Sequence, residues 1–169
     1  MRGPLFLVGF MGAGKSTIGR LLAQKCCVPF VDLDEEIVCA AGESIASIFA
    51  TRGEIAFRDL EESTLMALAP DPQIVATGGG IVGRDANWQH MQRVGTTLYL
   101  DSSWETLVQR LSGSRERPLL QTPEGIEGVH QLWLNRQPLY RQADYCILTD
   151  HKTPEAIVGE IRMCIKDFV

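Results

Sequence analysis

Leu5-Phe6-Leu7-Val8-Gly9-Phe10-Met11-Gly12-Ala13-Gly14-Lys15-Ser16 decides how the rest of the chain is read. The four leading apolar residues are too few for a membrane span and the right number for a buried strand. Gly9 to Ser16 fits G-x-x-x-x-G-K-[S/T], and Ile18, Leu21, Leu22 and Lys25 follow at the spacing of one helical face. A strand that feeds a glycine loop at the start of a helix is a phosphate cradle. Glycines let the backbone wrap the anion, while the amides and the helix N-terminus point at its charge. Gly12, Ala13, Gly14, Lys15, Ser16 and Thr17 are therefore the candidate ATP-binding residues. Lys15 is placed to bridge the β- and γ-phosphates during catalysis, and the Ser16 hydroxyl to ligate Mg2+.

Outward from this loop, short apolar runs alternate with helix-period segments. Val28–Val31, Ile74–Ala76, Thr97–Leu100 and Tyr145–Leu148 read as further buried strands, and Leu107/Arg110/Leu111 as a helical face. Such alternation predicts a three-layer α/β domain, a parallel sheet covered by helices on both faces. Ser102-Ser103-Trp104-Glu105 reads as a capping box, with Asp101–Ser103 as the helix start. Residues 34–69 hold helical patterns without a strand, and residues 112–124 are rich in Gly, Ser, Pro and charge. They read as a helical insertion and a moving loop, the places where substrate pockets and lids are built. Gly125 and Gly128 interrupt the helix expected after that loop.

The chain has 169 residues, enough for one domain, with neither repeat nor linker. A net charge of −5 argues against nucleic-acid binding through a basic surface, while twelve arginines against four lysines lean toward anionic ligands. Five cysteines without metal-ligand spacing fit a reduced, cytoplasmic protein, and no segment reads as a signal peptide or membrane span. His90, His130 and His151 read as ordinary polar residues, and the three tryptophans as packing.

Asp32-Leu33-Asp34 closes the second apolar run. On a strand both carboxylates would face the sheet's carboxyl edge, where ligands of such sheets bind. The competing reading makes Asp34 a helix N-cap followed by favourable first-turn charges. Leu98–Asp101 resembles a second strand ending in a site acid, but Asp101 is read instead as the entry to the next helix. Gly78-Gly79-Gly80 exceeds what a tight turn needs, so something must approach that backbone closely and take its amides as donors. Arg58 has Glu54 and Glu62 within helical reach as surface partners, and Arg117 and Arg136 would pass equally for solvated charges. Spacing alone does not bring Arg58 and Arg136 together.

Taken jointly, residues 9–16, Asp32-Leu33-Asp34, Phe57-Arg58, Gly78-Gly79-Gly80, Arg117-Pro118-Leu119 and Arg136-Gln137-Pro138-Leu139-Tyr140 resemble the shikimate kinase family. The resemblance runs from about Leu5 to Ile165 and implies one domain over residues 1–169. Its parallel sheet would have five strands in the order 2-3-1-4-5, with a substrate-binding region at about 33–61 and a lid at about 112–124. It implies transfer of phosphate from ATP to the 3-hydroxyl of shikimate, with Mg2+ as cofactor, by a cytoplasmic monomer. Asp34 would bind the hydroxyls and orient or deprotonate the attacking one. Arg58 and Arg136 would clamp the carboxylate, and Gly78, Gly79 and Gly80 would contact the same ligand. Arg117 would bring the lid onto the phosphates, Asp32 would hold Mg2+ through water beside Ser16, and Arg110 would stack on adenine opposite Lys152–Pro154.

Two other enzyme readings use the same scaffold. A nucleoside monophosphate kinase is disfavoured because Asp34 would repel an acceptor phosphate. Gluconate is harder to exclude by chemistry and is disfavoured by the Asp-Leu-Asp and triple-glycine pattern. A non-catalytic nucleotide-binding regulator would be expected to lose Lys15, Asp34 or Arg136, and a GTPase would need an Asn-Lys-x-Asp motif that the later strands lack.

Overall fold

Every residue of Leu5–Val8 is fully buried, and this strand, β1, is the centre of the sheet. The computed structural model describes residues 3–112 and 125–165. β1 pairs in parallel with β3 (Ile74–Ala76) on one side and β4 (Thr96–Asp101) on the other. Beyond β3 lies β2 (Phe30–Asp32), and beyond β4 lies β5 (Tyr145–Leu148). The order is β2-β3-β1-β4-β5 and every pairing is parallel, as the resemblance implied. A strand covered on both faces carries apolar side chains without alternation, and Leu-Phe-Leu-Val does so.

The two faces take different helices. Leu7 faces α1 (Lys15–Cys26), which comes so near that a Cβ on Gly19 would meet Leu7 and the Phe30 ring. α7 (Pro154–Cys164) packs beside α1. Phe6 points the other way, toward Gly95 at the end of α4 (Asp85–Val94). On that same face Tyr140, the last residue of α6 (Gly125–Tyr140), stacks on Tyr99 of β4 with ring centroids 5.2 Å apart. Gly125 opens α6 with a left-handed φ of 53°, and Gly128 sits within the helix, which forms despite both.

Residues 33–67 form the helical insertion as α2 (Leu33–Ala41) and α3 (Ile45–Ala67). α3 is interrupted at Gly53, whose φ of 81° and ψ of 172° belong to a region open in practice to glycine alone. Its second half presents Phe57, Glu61 and Leu65 to the interior as one stripe.

Five local expectations are corrected. β5 is a strand but not a buried one, because it edges the sheet and only Ile147 turns inward. Asp101 does not enter a helix; it is the last residue of β4, and α5 begins only at Trp104. The second strand starts at Phe30 rather than Val28, because Cys27 caps α1 in the left-handed region and the Val28 amide is spent on Ala23. α5 (Trp104–Ser112) is capped by Ser103, whose Oγ accepts from the Thr106 amide at 3.3 Å. Ser102 instead bonds the Thr149 hydroxyl, so the expected Ser102–Glu105 box does not form. Finally, β2 ends at Asp32, and Asp32, not Asp34, is the N-cap of α2. The expected lid falls, apart from Ser112, outside the described residues.

Candidate active site

The phosphate cradle comes from one continuous stretch. Gly12 and Gly14 hold left-handed φ angles of 82° and 94°, and Gly14 caps α1 without any side-chain bond. Among the described residues no capping side chain competes for the amides that open α1, which are the donors a phosphate would take. Lys15 lies back across the loop, its Nζ donating to the Gly9 carbonyl at 2.8 Å and to Phe10 at 3.1 Å. Ser16 Oγ donates to Asp32 Oδ2 at 2.6 Å, while Asp32 Oδ1 accepts the Asp34 amide at 3.2 Å. One carboxylate thus ties the cradle to the start of α2. Asp34 reaches the sheet's carboxyl edge from the first turn of that helix, not from the strand.

These groups line a cleft of about 890 Å³, together with Thr17, Thr77 and Gly79. Its far wall carries Arg110, Lys152 and Pro154. Arg110 Nη1 points at the Gly12 and Ala13 carbonyls, 3.2 and 3.4 Å away, and Lys152 is steadied by Glu160 at 2.7 Å.

A second corner adjoins the cleft at Asp34, and it is assembled from three distant segments. Its floor is the turn after β3, where each glycine has its own reason. A Cβ on Gly78 would strike the Glu61 carboxylate and press on Asp34; one on Gly79 would crowd the Met11 amide; one on Gly80 would overlap the Arg58 guanidinium. The expected close approach is real, but in the structure the protein's own side chains make it. Two of the turn's carbonyls accept from its own amides, Ile81 to Gly78 and Gly83 to Gly80. The Gly79 carbonyl accepts the Tyr140 hydroxyl.

Arg58 donates to Glu61 at 2.7 Å and to Glu54 at 3.3 Å. Glu62, the partner expected from spacing, turns instead to Arg84 at 2.7 Å, and Asp59 binds the same guanidinium. Glu61 is only 1% exposed, and its Oε1 accepts no hydrogen bond among the described residues. Burial pushes its carboxyl above the ordinary range; the Arg58 charge and hydrogen bond pull it back, and the Asp34 charge pushes it further up. Arg136 acts on both Glu61 and Tyr140, so it stands at the same corner as Arg58. Burial raises the Tyr140 phenol to about 12, which keeps it a proton donor at neutral pH.

The structure thus brings Asp34, Arg58, Gly78, Gly79, Gly80 and Arg136 into one neighbourhood beside the cradle. Arg117 lies outside the described residues. Sequence reasoning missed Glu61 and Tyr140 as parts of the corner. Glu61 did leave a signal, a charged residue at the centre of the Phe57/Glu61/Leu65 stripe. Tyr140 left its place one helical turn after Arg136, at the end of the 136–140 stretch that carries the resemblance.

Comparison with known proteins bears on this pairing of corners. The family model described as shikimate kinase matches residues 11–166. A shikimate kinase of Pseudomonas aeruginosa is 45% identical over 159 residues, covering 93% of this chain and 92% of the relative. One from Thermodesulfovibrio yellowstonii is 41% identical over 158 residues, covering 93% and 91%. Among solved structures, the shikimate kinase from Acinetobacter baumannii in complex with shikimate superposes with a TM-score of 0.90 at 34% identity, covering 98% of this chain and 94% of that one. A matching family model, relatives alike over nearly their whole length and a shared sheet order agree with the two corners, and the chain belongs to the shikimate kinase family.

Proposed function

We propose that the chain transfers the terminal phosphate of ATP to the 3-hydroxyl of shikimate, giving shikimate 3-phosphate and ADP for chorismate and aromatic amino acid biosynthesis. The observation that carries this reading is the meeting, at Asp34, of a phosphate cradle and a corner holding two arginines. Phosphoryl transfer needs positioning and charge neutralisation more than covalent chemistry. The amides at the start of α1 and the Lys15 ammonium receive the phosphates, Lys15 exchanging its loop carbonyls for the more negative oxygens. Arg58 and Arg136 present planar forks to the acceptor's carboxylate, a geometry lysines do not offer. Gly78 and Gly80 let Glu61 and Arg58 lie against the turn, and in this reading the turn at residues 78–80 also contacts the acceptor. Asp34, between the corners, orients the attacking hydroxyl or takes its proton.

The Ser16 hydroxyl and the Asp32 carboxylate, 2.6 Å apart at the cleft, fit Mg2+ arriving with the nucleotide, an ion that takes few protein ligands and keeps several waters. When bound, the ion supplies charge neutralisation on the phosphates. Arg110, which lines the cleft with Lys152 and Pro154, would meet the base of the nucleotide, and Arg117 would act on its phosphates. The nucleotide and acceptor corners both come from a single copy, so the reaction needs no second one, and the reading keeps the enzyme a monomer. ATP as substrate and five free cysteines support the cytoplasm. Among the described residues no helix is long and apolar enough to cross a membrane.

ADP release with shikimate, gluconate and AMP side by side tests the assignment. Turnover confined to shikimate is expected, and faster turnover with gluconate or AMP would overturn it.

A further inference from the structure

Arg58 and Arg136 sit on separate helices, α3 and α6, so the span between their guanidinium groups depends on what ties those helices together. Both are fastened to the same short turn. α6 is tied by the Tyr140 hydroxyl, which donates to the Gly79 carbonyl. α3 is tied by Arg84, one residue beyond the turn, whose two terminal nitrogens donate to Asp59 and Glu62, each at 2.7 Å. On α3, Arg58 and Glu61 are directed to Gly80 and Gly78, while Asp59 and Glu62, one residue further on, are directed to Arg84. On α6, Tyr140 lies one helical turn after Arg136, and Arg136 acts on the same phenol.

We propose that Tyr140 and Arg84 are positioning residues for the reaction: they set the spacing of the Arg58–Arg136 carboxylate clamp by pinning its two helices to the turn at residues 78–83 and the residue that follows it. The inference rests on the clamp reading given above. Tyr140 is fully buried against Tyr99, so loss of its hydroxyl alone leaves the packing in place. It does strand the Gly79 carbonyl and deprive Arg136 of the phenol beside it. Arg84 acts at the far edge of α3. The Gly53 interruption divides that helix, and Arg84 holds the half that carries Arg58, to which the first half is joined by Phe49 packing on Phe57 with ring centroids 4.7 Å apart.

The test compares Tyr140→Phe, Arg84→Gln and the charge-exchanged pair Arg84→Glu with Glu62→Arg, using Arg136→Ala as the reference for the clamp. Tyr140→Phe should raise KM for shikimate about three- to tenfold, the scale of one lost hydrogen bond, with KM for ATP unchanged and kcat within about twofold. Arg84→Gln should raise the same constant by about twofold or more, and the exchanged pair should recover part of it. A lower melting temperature with an unchanged KM for shikimate in both single variants would assign them a purely structural role and overturn the proposal. So would an equal rise in both substrates' KM values. If Arg136→Ala itself left KM for shikimate unchanged, the clamp reading would fail first, whatever Tyr140→Phe did.

Discussion

The phosphate corner and the acceptor corner are built on opposite plans. The cradle is local, with glycine conformations, helix N-terminus, lysine and hydroxyl all supplied by residues 9–17. The acceptor corner draws on α3, the glycine turn and α6, segments separated by tens of residues and held by side-chain bonds. A local site keeps its geometry if its loop folds. An assembled site depends on every tie between its pieces, and its buried charges must be balanced inside the protein. Losses at the cradle, and at Asp34 where the two corners meet, should therefore fall on the chemical step. Losses at the acceptor corner should fall on substrate affinity and on stability.

Paired variants put the largest effect on that contrast. Lys15→Ala should reduce kcat on the order of 10³-fold or more with the fold intact by circular dichroism, because its charge acts during transfer. Asp34→Asn should reduce kcat by about a hundredfold, with little change in KM, because it serves the hydroxyl only as that group becomes a nucleophile. A Lys15→Ala enzyme with near-normal turnover would break the cradle reading. An Asp34→Asn enzyme altered only in KM would move Asp34 from the chemical step into uniform binding.

The same contrast governs what could be read from the chain. The cradle was legible almost residue by residue, since its chemistry lies within one motif whose spacing is fixed by covalent geometry. Strand order followed from the family resemblance, while strand existence followed from apolar runs. Arg58 was a different case, because a helix surface offers carboxylates at i+3 and i+4 alike and spacing does not choose between them. Burial chooses: Glu61 lies on the inward stripe and takes Arg58, whereas Glu62 lies off it and takes Arg84. Likewise Asp32-Leu33-Asp34 was legible as a pair of site carboxylates. The change from strand to helix between them was not, because it is made by Asp32 capping its own helix. Nothing in sequence order announced the bond from Tyr140 to Gly79, which spans 61 residues.

A smaller effect sharpens the stability side of the comparison. Burial raises the Glu61 carboxyl above its ordinary 4.5, so between that value and its higher folded one the native state holds more proton than the unfolded chain. Its contribution to stability is then fully present below pH 4.5 and is lost as pH rises through the folded value. Glu61→Gln removes that titration. The melting temperature of the native protein relative to this variant should decline as pH rises across the window. A difference that stayed flat, or grew with pH, would show that burial does not raise the Glu61 carboxyl.

The division of labour itself is tested most directly by shikimate and its carboxamide as alternative acceptors for the native enzyme and for Arg136→Ala. A charge-assisted bond is worth on the order of 1.5–3 kcal/mol, or about ten- to a hundredfold in affinity. The native enzyme should therefore show a KM for the amide that is higher by about that factor, with kcat changed far less. In Arg136→Ala the acid should lose most of its advantage, so that the two acceptors differ by only a few-fold. Equal KM values for acid and amide in the native enzyme, or an advantage for the acid that survives undiminished in Arg136→Ala, would contradict the assignment of this corner to the carboxylate.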